Sequence, residues 1–517
     1  MTNISNKSYL ILWVVIFFFS CSKEDDDTTQ IPPTNQHNEK LQLYPNPPSG
    51  WKGETNPYET TGWVGDVMPY FEDGKFHIFF LHDAQTKPVG KGFHDIHKFV
   101  SKNLTDFDYQ GRMINYGKTA DPDFAIGTGS VININGTYYF YYTGHNGNTE
   151  YIQDHPRESI LLAKSNDLKN WKKTNDFLLT APEGYYDFEF RDPYVFYNSE
   201  EQEYWMLVSA QTDQRKAAIL LFTSTDPVNK EWEVKDPLYT SSLAENYLMM
   251  ECADIFKMGN YWYLLFSENW NKKVTHYRIA STSKGPWVTP KNDLLDGEFF
   301  YAGKTAANEN GRFLFGWTAR RFPENNTGNK EWAGNLVTHE LIQKDDGGLG
   351  VKPPSSILNI FKNNQTLQAI NTVGNISQNE NNFELDATKN PAYITYPFSQ
   401  LPARITTNIT IKGDNGKTGF IFNIENDIEN SSKIVFDSSK NRIVCVVNGE
   451  EKNSIPFHLE TGKDYSIEII LEESICIVYI NNEKAFSNRI YGLGKENWGI
   501  FADEINTNFK NLKLNTN

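Results

Sequence analysis

The sequence has 517 residues, of which 39% are apolar and 14% aromatic, and it carries a formal net charge of −16. A chain of this length and composition can bury a large core in more than one domain, which excludes an intrinsically disordered protein. Because no basic block offsets the acidic balance, nucleic acid is not expected as a partner, and a neutral substrate is favoured.

The first segment has the layout of an export signal. Residues 1–20 contain a single Lys7 and an apolar stretch that is too short for an ordinary membrane-spanning helix. The ending FFSC resembles a bacterial lipobox, in which Cys21 is lipidated and becomes the first mature residue, although the usual Leu is absent. A plain signal or membrane anchor is the alternative. We predict a lipoprotein signal peptide over residues 1–20 with lipidation at Cys21.

Residues 21–45 are polar, charged and Pro-containing, which is typical of a flexible tether. Their acidic run resembles the surface-export signal of lipoproteins in the Bacteroidetes group. We therefore predict a Gram-negative lipoprotein at the outer membrane, the cell surface or in the periplasm, attached to the membrane only through its lipid. Cys252, Cys445 and Cys476 lack metal-ligand spacing. We predict no structural metal and no cofactor.

After residue 45 the chain shows short alternating or aromatic runs bounded by Gly, Asn and Asp, which indicates an all-β protein. Five stretches share one form, a strand, a tight polar turn and a second strand rich in aromatics. They are GDVMPYFEDGKFHIFFLHD, TGSVININGTYYFYYTG, RDPYVFYNSEEQEYWMLVSA, ECADIFKMGNYWYLLFSE and GKTAANENGRFLFGWT. A second landmark recurs at the same step of about 60 residues, at Ser101, Ser165, Ser224 and Ser281. This repeat predicts a five-bladed β-propeller over residues 46–355.

In a propeller the innermost strands line a central channel, so residues near the starts of those strands converge. The glycines of the hairpin turns, Gly74, Gly136, Gly259 and Gly311, provide a common reference point. Eight residues before them lie Asp66, Thr128, Glu251 and Gly303, and Asp192 takes the remaining place. Three carboxylates are thus predicted at the mouth of one funnel, unless acidic residues begin these strands by chance. Clustered carboxylates acquire different pKa values, as glycoside hydrolysis requires.

Three stretches resemble signatures of glycoside hydrolase family 32, the invertases, levanases and inulinases. They are FRDP at 190–193, EC at 251–252 and WAGNLVTHEL at 332–341. The resemblance implies a propeller followed by a β-sandwich, and a retaining displacement at the anomeric carbon of a fructosyl unit. It also implies a neutral carbohydrate, a fructan or fructo-oligosaccharide, as the partner.

The family implies a role for each matching residue. Asp66 would be the nucleophile and Glu251 the acid and base, with the bulk of Cys252 helping to raise the pKa of Glu251. Asp192 would bind two sugar hydroxyls without entering the covalent chemistry, and Arg191 would hold the carboxylates in place. One departure stands out, because the family's Asn-Asp-Pro-Asn-Gly is replaced here by GDVMP, which retains only the Asp.

Four further residues are predicted to bind substrate: Trp63, Asp83, Glu268 and Trp332. Trp63 is equally suited to filling the core of the propeller, while Glu268 and the nearby Trp270 are candidates for the wall of the sugar pocket, as is Trp332. His82 is interpreted as a structural histidine. For His94, Asp95 and His97, strand alternation leaves too few ligands on one face for a metal.

Residues 366–517 contain short alternating strands with Asn and Gly turns, which predicts a lectin-like β-sandwich. That domain would act as a scaffold or bind carbohydrate. Two other functions stay open for the whole chain. One is an inverting glycosidase of the related family 43 acting on arabinosides or xylosides, with carboxylates about 6.5 to 9.5 Å apart rather than about 5 to 5.5 Å. The other is a non-catalytic surface protein that binds glycans.

Overall fold

The computed structural model describes residues 41–48, 62–83, 94–229, 231–269, 272–398, 400–424 and 428–517. The predicted signal peptide, the lipidation residue Cys21 and Trp270 lie outside these ranges. The described residues form an all-β protein with one short α-helix, α1 (Ser355–Leu358), and short 3-10 turns at Tyr151–Gln153 and Ser438–Lys440. Within the described ranges no helix has the length and hydropathy of a membrane-spanning segment.

The first twenty strands, called the N-terminal sheets, form five consecutive antiparallel sets. The first set is β1 (Trp63–Glu72), β2 (Lys75–Asp83), β3 (Asp95–Ser101) and β4 (Asp108–Ile114). The second is β5 (Ala125–Ile134), β6 (Thr137–His145), β7 (Glu158–Ser165) and β8 (Lys172–Lys173). The third is β9 (Tyr185–Asn198), β10 (Glu203–Thr212), β11 (Ala217–Ser224), β12 (Glu233–Val234) and β13 (Tyr239–Thr240). The fourth is β14 (Met250–Met258), β15 (Tyr261–Glu268) and β16 (Thr275–Ala280), and the fifth is β17 (Phe300–Asn308), β18 (Gly311–Phe322), β19 (Asn329–Gln343) and β20 (Leu349–Lys352).

The first strands of the five sets are neighbours in cyclic order. β1 contacts β5, β5 contacts β9, β9 contacts β14, β14 contacts β17, and β17 contacts β1. The last set is also joined to the first by a hydrogen-bonded pairing of β19 with β1 at Gly334 and Val64. Three of the Ser landmarks end the third strands of their sets and Ser281 directly follows β16, so the repeat read from the sequence corresponds to a structural unit.

Each of these first strands carries a β-bulge in its first half or near its middle. At each bulge, two residues of the first strand lie opposite one residue of the second strand. The bulged pairs are Gly65 and Asp66 in β1, Gly127 and Thr128 in β5, Asp192 and Pro193 in β9, Cys252 and Ala253 in β14, and Ala302 and Gly303 in β17. A bulge bends its strand and turns a side chain out of the regular alternation. The repeated bulge therefore directs one short segment of each set toward the same region.

Strands β21 to β35, called the C-terminal sheets, form one sheet of eight strands and one of seven. They are β21 (Asn363–Gln365), β22 (Asn371–Val373), β23 (Asn375–Asn379), β24 (Asn382–Asp386), β25 (Ala392–Tyr396), β26 (Ala403–Ile411), β27 (Lys417–Ile424), β28 (Ser432–Asp437), β29 (Arg442–Val447), β30 (Glu450–Pro456), β31 (Asp464–Glu472), β32 (Ile475–Ile480), β33 (Lys484–Arg489), β34 (Asn497–Asp503) and β35 (Asn506–Thr516). Residues from both sheets share one apolar core, so the two sheets face each other.

A polar and apolar contact joins the two groups of sheets. Arg489 of β33 is fully buried and donates to the carbonyl oxygens of Thr318 and Ala319 and to the side chain of Asn335. Asp296 accepts from His339 of β19 and from Ser487 of β33. An apolar cluster containing residues of β15, β19 and β32 continues this interface.

The end of the predicted tether is packed rather than extended, which corrects its C-terminal boundary at residue 45. Leu43 and Tyr44 are buried, and both backbone N–H groups donate to the carboxylate of Glu472 at 2.8 and 2.9 Å. The carbonyl of Tyr44 accepts from Asn335. Two apolar side chains with satisfied backbone groups belong to the folded protein, so a tether cannot extend through them.

Candidate active site

The bulges bring the three predicted carboxylates together, but at successive rather than equivalent positions. Glu251 immediately precedes its bulge, Asp192 is the first residue of its bulge, and Asp66 is the second. The expectation of strict equivalence was wrong because the turn glycines are not equivalent: Gly259 begins its turn, whereas Gly74 ends one. The bulge, not the distance from the turn, sets the position of each side chain.

The backbone at these bulges is unusual. Asp192 has a φ of 61° and Cys252 a φ of 55°, in the left-handed region that favours glycine. Ala302 of β17 has the same conformation, with a φ of 56°. Each such residue costs on the order of 1–3 kcal/mol, and such residues concentrate at functional sites. The neighbouring carboxylates are thus held where regular strands would not place them.

Asp192 is held by hydrogen bonds to both of its carboxylate oxygens. Its Oδ2 accepts from the backbone N–H of Cys252 at 2.9 Å, and its Oδ1 accepts from the hydroxyl of Thr128. Its own N–H donates to the hydroxyl of Thr143 at 2.8 Å. Asp192 is 3% exposed, so strands β5, β6 and β14 fix it in one orientation.

Glu251 is surrounded by donors. Its Oε1 accepts from Nε and Nη2 of Arg191 at 3.1 and 2.9 Å and from Asn269 at 2.7 Å. Its Oε2 accepts from the hydroxyl of Tyr301 at 2.7 Å. Burial raises the pKa of Glu251, the Arg191 charge opposes that rise, and the negative charge of Asp192 adds to it, so the pKa lies above its usual value.

Asp66 has one strong donor, the indole N–H of Trp317, which lies 2.8 Å from Oδ1. Burial and the charge of Glu251 raise the pKa of Asp66 to about 7, while the Trp317 hydrogen bond opposes the rise. Lys304 of β17 also lowers this pKa, and its ammonium donates to the carbonyl of Gly129. Two partly buried carboxyl groups that repel each other favour a state with one proton between them.

Gly65, immediately before Asp66, has a specific steric reason to be glycine. A Cβ there would lie 2.3 Å from the indole of Trp332 and 2.9 Å from the backbone oxygen of Leu81. Trp332 of β19 in turn packs against Trp317, with ring centroids 6.1 Å apart. Gly65, which stands where the family's motif has Asn, therefore leaves space beside Asp66 that the indole of Trp332 occupies. Trp332, predicted to bind substrate, thus lies next to Asp66.

Trp63 and Asp83 lie together but away from solvent. Trp63 is 7% exposed, and the guanidinium groups of Arg320 and Arg489 approach its ring. Asp83 is fully buried and accepts from Arg320 at 3.1 Å. The indole is covered and the carboxylate is paired, so this geometry favours packing for both residues over the predicted contact with a sugar.

Glu268 ends β15 and is 3% exposed, with His276 at 3.3 Å. His276 in turn contacts Asp293, so Glu268 belongs to a buried ion-pair group of the fourth set. This position also differs from the predicted one in the wall of a sugar pocket, because the carboxylate is enclosed by its own sheet.

The predicted structural histidines form a buried aromatic group. His82 stacks on His97 with ring centroids 4.1 Å apart, and burial lowers the pKa of His82 to about 3. His94 packs on Trp332 at 4.5 Å. Among the described residues, no group of three or more His, Cys, Asp or Glu side chains is arranged to hold a metal ion.

Several residues at the site were not identified from the sequence. Trp317, Tyr301 and Asn269 donate to the carboxylates, and Glu158 holds Arg191. Tyr301 precedes the bulge of β17 just as Glu251 precedes that of β14, so the repeat contained a signal for it. Trp317 lies on β18, a second strand, and Glu158 lies on β7, a third strand. The repeat contained no signal for functional residues on those strands.

Comparisons with known proteins identify the family of the chain. The model of the Glycosyl hydrolases family 32 N-terminal domain matches residues 59–353, and the GH32, BT1760-like, C-terminal domain matches residues 361–509. A raffinose invertase of Escherichia coli is 28% identical over 346 residues, which cover 63% of this chain and 67% of that protein. A sucrose-6-phosphate hydrolase of Escherichia coli is 26% identical, with 62% and 66% covered. The chain thus matches about two thirds of the length of these curated relatives.

Solved structures show the same fold at low sequence identity. A β-fructofuranosidase of Bombyx mori superposes with a TM-score of 0.67 at 19% identity, covering 92% of this chain and 93% of that one. The fructan 1-exohydrolase IIa of Cichorium intybus gives 0.67 at 18% identity, covering 92% and 98%. Because the N-terminal family model alone covers more than half of the sequence, the chain belongs to glycosyl hydrolase family 32 and is a glycosidase.

Proposed function

We propose that this protein is a retaining glycoside hydrolase that releases fructosyl units from fructans or sucrose-like oligosaccharides through a covalent fructosyl-enzyme. The observation that carries the proposal is the meeting of Asp66, Asp192 and Glu251 at the repeated bulges of a family 32 chain. The relatives named as invertase and β-fructofuranosidase support the fructosyl unit as the transferred group.

In the first step, an Asp66 oxygen attacks the anomeric carbon and the bond to the leaving oxygen breaks. Glu251 donates a proton to that oxygen, so the leaving group departs as an alcohol. The proton belongs on Oε2 of Glu251, because Oε1 already accepts two N–H groups of Arg191, which has no acceptor atom, and the amide N–H of Asn269. The Tyr301 hydroxyl on Oε2 can rotate, so the proton has room there.

In the second step, Glu251 takes a proton from water, the water oxygen attacks the anomeric carbon, and the bond to Asp66 breaks. Asp192 keeps both carboxylate oxygens in place through Cys252 and Thr128, which suits a group that binds sugar hydroxyls while charge develops on the ring. Free fructose and the original protonation states result. Both steps use side chains alone, so no cofactor enters the scheme.

The fold proposed for this activity is a five-bladed β-propeller followed by a β-sandwich. The cyclic contacts of β1, β5, β9, β14 and β17 and the five bulges support the blade number. The two facing C-terminal sheets and their match to a family 32 C-terminal domain support the sandwich. We place the propeller over residues 46–355 and the sandwich over 366–517, with the lectin-like domain acting as a scaffold packed on the propeller.

We also propose that the protein is anchored by a lipid on Cys21 and faces an extracellular or periplasmic fructan. The support is the lipobox-like ending and the acidic run that follows it. A mass increase of the mature N-terminus that disappears in Cys21→Ala would establish the anchor. Release of the unmodified protein into the soluble fraction of the parent cells would contradict it.

The two alternatives are less well supported. The match to family 32 does not favour an inverting arabinosidase or xylosidase of family 43. A decayed binding protein would have no need to hold three clustered, wholly or partly buried carboxylates with Arg191, Trp317 and Tyr301, since burying charges without a function is costly.

The proposed function is tested by measuring fructose release from levan, inulin, sucrose and sucrose 6-phosphate. Asp66→Asn and Glu251→Gln serve as matched variants that keep the size of the side chain. We expect hydrolysis of at least one of these fructosides by the parent protein and its loss in both variants. Absence of hydrolysis of every fructoside by the parent protein would overturn the proposal.

A further inference from the structure

Arg191 presents a problem for the proposed reaction. An arginine beside a carboxylate favours the ionised form and lowers the carboxyl pKa by about 1–3 units. Arg191 forms two hydrogen bonds with Glu251, at 3.1 and 2.9 Å. Glu251 must nevertheless carry a proton to protonate the leaving oxygen. Burial of Glu251 and the negative charge of Asp192 already oppose the effect of Arg191 on this pKa, and any group that takes up part of the positive charge of Arg191 would oppose it further.

Two further carboxylates do so. Nη1 of Arg191 lies 3.3 and 3.1 Å from the oxygens of Glu158 and 2.6 Å from Oε2 of Glu189. Glu158 is 5% exposed, and the side chain of Arg191 is 16% exposed, so water screens this pair weakly. One guanidinium thus faces three glutamates.

Glu158 is built into this position rather than resting on the surface. It begins β7, and its Oε2 accepts from the backbone N–H of Phe190, the residue before Arg191, at 2.8 Å. His145 of β6 contacts its other oxygen at 3.2 Å. The backbone of β9 and the side chain of Arg191 are therefore held by the same carboxylate.

We propose that Glu158 is a positioning residue of the reaction: it orients Arg191 and takes up part of its positive charge, so that Glu251 remains able to hold a proton. This inference rests on the proposed function and deepens it. Glu189 assists from the same strand as Arg191 but is more exposed, with a side chain 26% accessible. Glu158, on a different strand, acts through Arg191 and does not touch the substrate.

The charges around the guanidinium support this division. The groups that face Arg191 are Glu158 of β7, with His145 behind it, Glu189 and Asp192 of β9, and Glu251 of β14. Glu251 itself faces Asp66 and the hydroxyl of Tyr301. Burial raises the pKa of Glu158, but the charge of Arg191 and the hydrogen bonds from His145 and from the backbone N–H of Phe190 together outweigh it, and the pKa lies below its usual value. The same arginine does not bring the pKa of Glu251 below its usual value.

The test is the pH dependence of kcat/KM for Glu158→Gln, measured on the fructoside that the parent protein hydrolyses. Glu251 must be protonated, so activity falls as the pH rises through its pKa. Without the charge of Glu158, Arg191 acts more fully on Glu251 and lowers that pKa. We expect the alkaline limb to move down by about one pH unit. A limb that stays in place would overturn the proposal, because a merely structural role lowers activity equally at every pH.

Two variants accompany it. Glu158→Asp keeps the charge, so we expect it to restore the alkaline limb toward that of the parent. Glu203→Gln removes a carboxylate that accepts from Trp205 at the start of β10, whereas Arg191 pairs with Ser209 near the end of that strand, and we expect no change of either limb. If Glu158→Gln does not fold, Glu189→Gln is measured in its place, and we expect its alkaline limb to move down by a smaller amount. An alkaline limb that does not move in Glu189→Gln would contradict the sharing of the Arg191 charge.

A second measurement does not depend on hydrolysis. A carboxyl whose pKa is lowered by folding stabilises the protein above its unfolded pKa, and this contribution is lost as the pH falls. The melting temperature of Glu158→Gln should therefore lie below that of the parent protein at pH 7, and the difference should shrink toward pH 4. A parent protein without activity would overturn the proposed function alone, whereas a pH-independent difference in melting temperature would overturn the ionised Glu158–Arg191 pair.

Discussion

The N-terminal and C-terminal sheets bury charge in different ways. Near the bulges of the N-terminal sheets, Asp66, Asp192 and Glu251 repel one another, and only part of their charge is offset by Arg191 and Lys304. The core between the C-terminal sheets consists of aliphatic and aromatic side chains with two cysteines. Both regions are all-β and well packed, so the secondary structure does not explain the difference.

Buried carboxylates in the C-terminal sheets have local partners. Asp437 accepts from the backbone N–H of Lys440 and the hydroxyl of Ser439, which closes the turn after β28. Glu472 accepts two backbone N–H groups from Leu43 and Tyr44. These carboxylates stabilise the fold, whereas Asp66 and Glu251, whose pKa values are raised chiefly by burial, lower its stability when ionised. Burial alone therefore does not identify a functional carboxylate; repulsion from neighbouring negative charges does.

The strongest test of this comparison is one substitution in each region, Asp66→Asn and Asp437→Asn. We expect Asp66→Asn to reduce hydrolysis by a factor on the order of 10⁴, because it removes the nucleophile. It should also stabilise the protein at pH 8. The pKa of Asp66 is raised from 3.8 to about 7, so its ionisation costs stability as the pH rises through that window, up to about 4 kcal/mol. Thermal unfolding at pH 5 and pH 8 measures this.

Asp437→Asn is the matched control. We expect a loss of up to about 1 kcal/mol of stability, because the charge that faces Arg442 at 3.5 Å is removed while the Asn oxygen can still accept at the turn, and unchanged kcat/KM. If Asp66→Asn lowered the melting temperature at pH 8 as much as Asp437→Asn does, the distinction between the two kinds of buried carboxylate would be wrong.

The extent to which this site could be predicted follows from the same distinction. The repeated hairpins and the acidic residues near their starts could be identified from the sequence, because strands, turns and carboxylates recur along the chain. The positions of these acidic residues relative to the bulges could not be predicted from the turn glycines, since Gly311 lies in the strand after its turn while Gly74 lies in the turn. The sequence also did not reveal that Asp83 and Glu268 contact buried partners rather than a pocket. Arg320, the partner of Asp83, is distant in sequence, and His276, the partner of Glu268, lies on the neighbouring strand.

A substitution of intermediate effect is Gly65→Ala. The new Cβ would contact the indole of Trp332 at 2.3 Å and the carbonyl of Leu81 at 2.9 Å, so β1 or β19 must shift next to Asp66. We expect a loss of about 1–3 kcal/mol in stability together with a fall in kcat. Steady-state kinetics and thermal unfolding measure both.

The control for Gly65→Ala lies in the C-terminal sheets. A Cβ at Gly413 would meet only Ile505, at an ordinary 3.7 Å, so Gly413→Ala should leave stability and kcat nearly unchanged. Equal activities of the two variants would show that Trp332 can yield, and that the space beside Asp66 does not depend on a glycine.

The smallest expected effect is a shift of one limb of the pH profile in Trp317→Phe. The indole N–H donates to Asp66 and lowers its pKa, so removing the N–H while keeping an aromatic ring should raise that pKa above about 7. Asp66 must be ionised to attack, and kcat/KM should then reach its plateau at a higher pH. The alkaline limb, which Glu251 controls, should move less.

Trp262→Phe removes an indole hydrogen bond of the same kind, to Glu200, and should leave the acid limb in place. A shift common to both tryptophan variants would reflect general loosening of the sheets. A shift confined to Trp317→Phe, opposite in limb to that of Glu158→Gln, would show that the two carboxyl groups are tuned separately: Asp66 by a neutral donor from β18 and Glu251 by an arginine whose charge is shared. Two neighbouring carboxyl groups can perform different tasks only if their surroundings differ in this way.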